Sequence, residues 1–197
     1  MKKVILALSL ISSAAHGALV EHDLYTAGDN LITLDTKTGI QWLDLTATTN
    51  LSYNDILADA GGWISSGWRH ATIGEIDSLY SAFGLENRKY SPPNRNEIDM
   101  FTDLFSLLGE TAPDENETYR NSYGLVGGDF SDFRPLYGML LADDGSWATT
   151  GYVGGSIDRS ASPILGHWMV KTTAVPIPSS FLLFLSGLSF FYFSKKN

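Results

Sequence analysis

The side chains in this sequence that can do chemistry are aromatic rings, carboxylates and a few imidazoles, and no cysteine accompanies them. The lack of Cys excludes disulfides, thiolate zinc sites, iron–sulfur clusters and thiolate nucleophiles. Of the five tryptophans, Trp63 and Trp147 lie beside glycine-rich or turn segments. There an indole face can either fill a core or stack on the apolar C–H surface of a neutral sugar. Trp42, Trp68 and Trp168 stand in strand or pre-helix contexts and are expected to anchor a core. The groups Asp114-Glu115-Asn116-Glu117, Asp129 with Asp132, and Asp143 with Asp144 offer hard oxygen ligands, of which calcium takes about six to eight. None has EF-hand spacing, and each reads first as a solvated loop or turn. Calcium at Asp129, Asp132, Asp143 and Asp144 is the one cofactor left open, and no other metal is expected. His22, His70 and His167 are isolated, with no His-Glu-x-x-His spacing, and no Gly-x-Ser-x-Gly elbow occurs. No catalytic residue is identified. Arg69 is expected to pair with Asp44 or Glu75 and hold the framework together.

The elements that must position these residues follow from hydrophobic periodicity. Asn30–Asp44 alternates apolar and polar residues on each side of Thr36-Lys37-Thr38-Gly39 and predicts a β-hairpin. Ser52 with Asp55 three residues later predicts a capped short helix ended by Gly61-Gly62. Thr72 with Glu75 predicts a second helix whose apolar face is Ile73, Ile76, Leu79, Tyr80 and Phe83. Leu85–Asn96, with Pro92-Pro93, reads as a loop before a third helical stretch at Glu97–Leu108. Tyr119–Gly128, Leu136–Ala142, Trp147–Tyr152 and a closing Gly166–Lys171 read as strands. Strands at both ends with helices between them indicate an α+β domain of two to three helices.

The two ends have a different character. Lys2-Lys3, the apolar run Val4–Ile11 and the small residues before Gly17 are ordered as in a secretory signal peptide, so Met1–Gly17 is expected to be removed. Cleavage after Ala15 is the alternative. Val175–Asn197 contains Phe181–Phe193, an uncharged run that with its flanks reaches about 20 residues, enough for one transmembrane helix. Lys195 and Lys196 follow it and should stay cytoplasmic. The net charge of −9 includes four lysines in these ends and no acid there, so the body Ala18–Ala174 carries −13. That charge repels nucleic acid and tolerates neutral ligands or divalent cations.

Val175-Pro176-Ile177-Pro178-Ser179, the apolar span and the terminal Lys195-Lys196 resemble the PEP-CTERM sorting signal, with Ile177 where that family most often has Glu. The resemblance implies an exosortase as partner, passage through the inner membrane during sorting, and a final place at the surface or in the extracellular matrix of a Gram-negative bacterium. Asp35–Thr46, Leu51–Leu57 and Gly67–Ile76 resemble the opening half of body domains carried by such proteins. More distantly they are similar to extracytoplasmic domains with a Trp-Arg-x-Pro/Ala-Thr pattern and a C-type-lectin-like fold, although His70 stands where those domains have an apolar residue. This implies a single lectin-like domain with a sheet joining the chain ends, non-catalytic and associated with extracellular polysaccharide. An exported polysaccharide-acting hydrolase and a purely structural matrix component are the alternatives.

Overall fold

The computed structural model describes residues 19–85, 88–112 and 118–172. The expected signal peptide, the sorting motif Val175–Ser179, the basic pair Lys195-Lys196 and the acidic run Asp114–Glu117 lie outside these residues. Among the described residues no helix is long and apolar enough to cross a membrane.

The described residues fold as α+β, with two antiparallel-dominated sheets and three α-helices among them. The expected hairpin forms as β2 (Ile32–Asp35) and β3 (Ile40–Leu43). Its turn closes because Gly39 adopts φ 72°, which a residue with a Cβ resists, and because the Asp35 carboxylate accepts from the Lys37 N–H at 2.8 Å. An additional strand, β1 (Leu19–His22), pairs outside β2. The helices α1 (Tyr53–Leu57), α2 (Ile73–Ala82) and α3 (Arg95–Leu108) all start with complete capping boxes, Ser52/Asp55, Thr72/Glu75 and Asn94/Glu97. The third begins two residues before the predicted start, because Asn94 caps it.

Strand β4 (Arg69–His70) is brief; β5 (Tyr119–Leu125), β6 (Phe133–Ala142) and β7 (Ala148–Ile157) form a meander. The predicted closing strand divides. Gly166-His167 (β8) runs parallel to β5, whereas Met169–Thr172 (β9) lies antiparallel between β3 and β4. The orders are β1-β2-β3-β9-β4 and β7-β6-β5-β8, so the terminal hairpin and the chain's closing strand do share a sheet. Gly166 permits the crossing, since a Cβ there would meet the Leu45 carbonyl oxygen at 2.2 Å.

The main core takes Ile76, Leu79 and Tyr80 from α2 and Phe101, Leu104, Phe105 and Leu108 from α3 against Trp42, Met139 and Trp168. Trp168 sits edge-on to both Trp42 and Tyr80, at 6.0 and 6.1 Å between ring centroids, and its indole N–H donates to the Tyr137 carbonyl at 2.9 Å. Such edge-to-face pairs add about 0.5–1.5 kcal/mol each beyond burial. Trp68 belongs to a second cluster with Ile32, Leu43, Ile56 and Met169. The three tryptophans expected in the core are there.

Candidate functional site

The framework arginine resolves first. Arg69 forms a two-pronged pair with Glu75, at 2.9 and 2.6 Å, and Glu75 simultaneously closes the cap of α2. The Arg69 guanidinium and the Thr72 bonds hold the Glu75 carboxyl at about 2, against an ordinary 4.5. Asp44, the other expected partner, is buried, accepts from the Thr46 N–H at 2.8 Å, and has its pKa raised by that burial.

The two tryptophans read as sugar platforms separate. Trp63 is only 5% exposed and is packed in the second cluster with Tyr25 tilted over it at 6.3 Å. It presents no open ring face, and the stacking expectation is corrected for this residue. The physical reason is that Gly61 and Gly62 wind the chain so tightly, both with positive φ, that the indole folds back under its own turn.

Trp147 is half-buried at the foot of the β6–β7 turn. Its ring lies between Tyr90 at 5.3 Å and Tyr119 at 5.6 Å, with tilts of 46° and 48°. Tyr90 is 68% exposed. Its loop is fastened beside Trp147 by paired backbone bonds: the Ala148 N–H donates to the Ser91 carbonyl at 2.9 Å and the Ser91 N–H returns one at 3.3 Å. Arg88 clamps the same loop, accepting at its carbonyl from the Thr150 N–H and the Thr149 hydroxyl, while its guanidinium pairs with Glu97 and donates to the Pro92 carbonyl. The result is an array of three rings from three chain segments, with one ring largely open to solvent. Aromatic faces of this kind suit the C–H surface of a neutral sugar, and the phenol hydroxyls can meet its hydroxyls.

The calcium candidates do not converge. Asp129, Asp132, Asp143 and Asp144 are all exposed. Asp144 accepts from the Ser146 N–H at 2.9 Å and shapes the turn that carries Trp147. Among the described residues no three acidic or imidazole side chains are placed to hold a metal ion. The four exposed carboxylates at Asp129, Asp132, Asp143 and Asp144 therefore form no such group in this fold. The Asp143–Gly145 turn instead helps to wall a cleft of about 310 Å³ with Ile98, Thr102 and Arg120.

Two histidines that are 97 positions apart in sequence meet. The His70 Nε2 and His167 Nδ1 are 3.0 Å apart, in a buried setting. The His167 Nε2 lies 3.0 Å from the Leu51 carbonyl oxygen, which can only accept, so His167 carries its proton on Nε2 and accepts from His70 on Nδ1. Tyr53 stacks on His70 at 4.2 Å and 22°, Arg134 covers the outer face of Tyr53 at 4.1 Å, and Asp158 holds Arg134 through bonds of 2.9 and 3.1 Å. Burial lowers both imidazoles from an ordinary 6.5, His70 to about 3 and His167 to about 4. The reading of His70 and His167 as isolated is thereby overturned, because β4 and β8 come from different sheets and only the crossing at Trp168 brings them together. His22 remains exposed at the end of β1.

Tyr90, Tyr119, Tyr53, Arg134 and Asp158 were not among the residues singled out from sequence. Only Tyr90, an aromatic in an otherwise polar loop, carried a local signal. No protein-family model, no curated protein and no solved structure matches this chain.

Proposed function

We infer that the chain is an exported protein, sorted through the inner membrane by an exosortase to the surface or extracellular matrix of a Gram-negative bacterium. There it holds neutral polysaccharide without catalysing its turnover. The sorting half of this reading rests on the order of apolar, Pro-x-Pro and basic elements at the chain ends. The binding half is carried by one observation, the Tyr90–Trp147–Tyr119 array with Tyr90 largely exposed. The loop that carries Tyr90 is fixed by backbone bonds before any ligand arrives, so little loop entropy is lost on binding. The body's charge of −13 favours neutral over uronic-acid polymers. The C-type-lectin-like expectation is supported by the sheet that joins the hairpin to the closing strand.

The test is a titration of the full chain, in detergent, against neutral and uronic-acid polysaccharides, followed by tryptophan fluorescence. Saturable binding of a neutral polymer that Trp147→Ala weakens about tenfold or more is the expected result. Equal binding by wild type and variant defeats the site, and release of reducing ends defeats the non-catalytic reading. Fractionation of cells with and without Val175–Asn197 tests sorting, and equal release of both forms into the medium overturns it.

A further inference from the structure

The segment Asn50–Asn54 lies as a strap over the crossing between the two sheets. Its backbone is held by Asn50 N–H to the Ser162 carbonyl at 2.8 Å and Asn54 N–H to the Asp158 carbonyl at 3.0 Å. Beneath it, the Leu51 carbonyl accepts from His167 and the Tyr53 ring lies flat on His70. Within the strap, Tyr53 packs in a small satellite cluster with Leu125 and Leu165 and Leu51 lies partly buried against the second cluster, so the strap stands apart from the main core. It therefore has fewer apolar contacts to lose than α2 or α3 and can open locally.

While both rings are neutral, the Leu51 carbonyl fixes the arrangement of protons in the bond between them. His167 is committed to Nε2–H by the Leu51 carbonyl, so an added proton must go on Nδ1, where it faces the N–H of His70 and the bond is lost. An added proton on His70 goes on Nδ1 and leaves the bond in place, but it creates a buried imidazolium stacked under Tyr53, whose other face carries the Arg134 guanidinium, so two positive charges sandwich one ring. The charged groups that face the pair are all engaged elsewhere. From α1 come Tyr53, and Asp55, which closes the cap with Ser52. From β6 comes Arg134, and from the segment after β7 comes Asp158, paired with it. Arg69, beside His70 on β4, is paired with Glu75. No free carboxylate stands ready to receive an imidazolium among these groups.

We propose that the His70–His167 bond is an acid-sensitive latch, and that protonating either ring releases Tyr53 and the Asn50–Asn54 strap while the α2–α3 core stays folded. Release uncovers the wall of an adjoining cleft of about 350 Å³ lined by Asn54, Asp132, Ile157, Asp158 and Arg159. The geometry is that of a seam closed by neutral imidazoles, and its opening is independent of whether the Tyr90–Trp147–Tyr119 array binds sugar.

Amide hydrogen exchange on the full chain in detergent micelles, expressed as protection factors, tests this at pH 7 and pH 5. The amides of Asn50, Asn54 and His167 should lose about 30-fold in protection for one imidazole released, and at both pH values they should exchange faster than those of α3, which open only with the whole fold. Unchanged protection of the strap overturns the proposal, as does strap protection equal to that of α3 at both pH values. His70→Gln should cut the loss at the strap to less than half of the wild-type value. If that variant does not fold, the histidine ring proton shifts of the wild type decide. Titration of the pair in step with loss of strap protection, below pH 6, supports the latch; titration near the ordinary 6.5 with the strap still protected overturns it.

Discussion

Two aromatic arrays built from the same chemistry differ in what surrounds them. In Tyr53–His70–His167 the imidazoles are buried, the ring faces are covered by Arg134 on one side, and the ring nitrogens that join the pair to Leu51 are matched to partners. In Tyr90–Trp147–Tyr119 the backbone beneath is equally well fastened, but Tyr90 remains 68% exposed. A saturated array has no valence left for a ligand and contributes to stability, which makes it sensitive to anything that adds a proton. An array with uncovered ring surface contributes less to stability and keeps its capacity for contact. Aromatic content therefore does not by itself indicate binding; the unspent surface does.

The largest effect that sharpens this contrast comes from the core ring at the crossing. Trp168→Ala should destabilise the fold by about 4 kcal/mol, because it empties a site 1% exposed and removes two edge-on partners and a hydrogen bond, measured by urea unfolding. A loss below about 1 kcal/mol would show that the sheet crossing is not the anchor described.

Acidification comes next. Both imidazoles are depressed in the fold relative to 6.5, so the unfolded chain binds more protons below that value. Their contribution to stability is complete above about pH 6.5 and is lost as the pH falls towards 4 and 3. Between pH 7 and pH 5 the loss should be on the order of 2 kcal/mol per imidazole, and His167→Gln should flatten the urea-midpoint profile over that range. A profile equally steep in the variant would break the contrast between the two arrays.

Arg134→Met should cost about 2 kcal/mol, since the guanidinium is largely buried against Tyr53 and its loss strands Asp158. Thermal unfolding of the single and double variants with Asp158→Asn separates these contributions. Glu75→Ala should cost about 1 kcal/mol, mostly through the lost cap of α2, because the Arg69 side chain is half exposed and its ion pair is screened. The smallest stability effect is expected at Trp147. Trp147→Ala should cost less than about 1 kcal/mol while removing sugar binding. A large loss of stability there would recast the open array as a structural clamp for the Arg88–Asn94 loop.

Local signals in the chain were enough to place the β2–β3 turn at Gly39, the Ser52/Asp55 and Thr72/Glu75 capping boxes, and Trp42, Trp68 and Trp168 as core residues. Each depends on neighbours within about four positions, through turn geometry or helical spacing. The division of the closing strand at Trp168 was not legible, because Gly166–Lys171 is one apolar-rich run and nothing in its spacing says that its halves join different sheets. The burial of Trp63 was equally hidden, since a glycine-rich neighbourhood describes an exposed turn and a folded-back indole in the same letters.

The sequence by itself determined the element types, the acidic and cysteine-free character of the body, and the distinct composition of its ends, all of which are additive or short-range properties. Only the tertiary structure decided which rings meet. His70 and His167, and Tyr90, Tyr119 and Trp147, are joined by sheet pairing and strand crossing, and such long-range contacts depend on the packing of the whole chain rather than on any one segment.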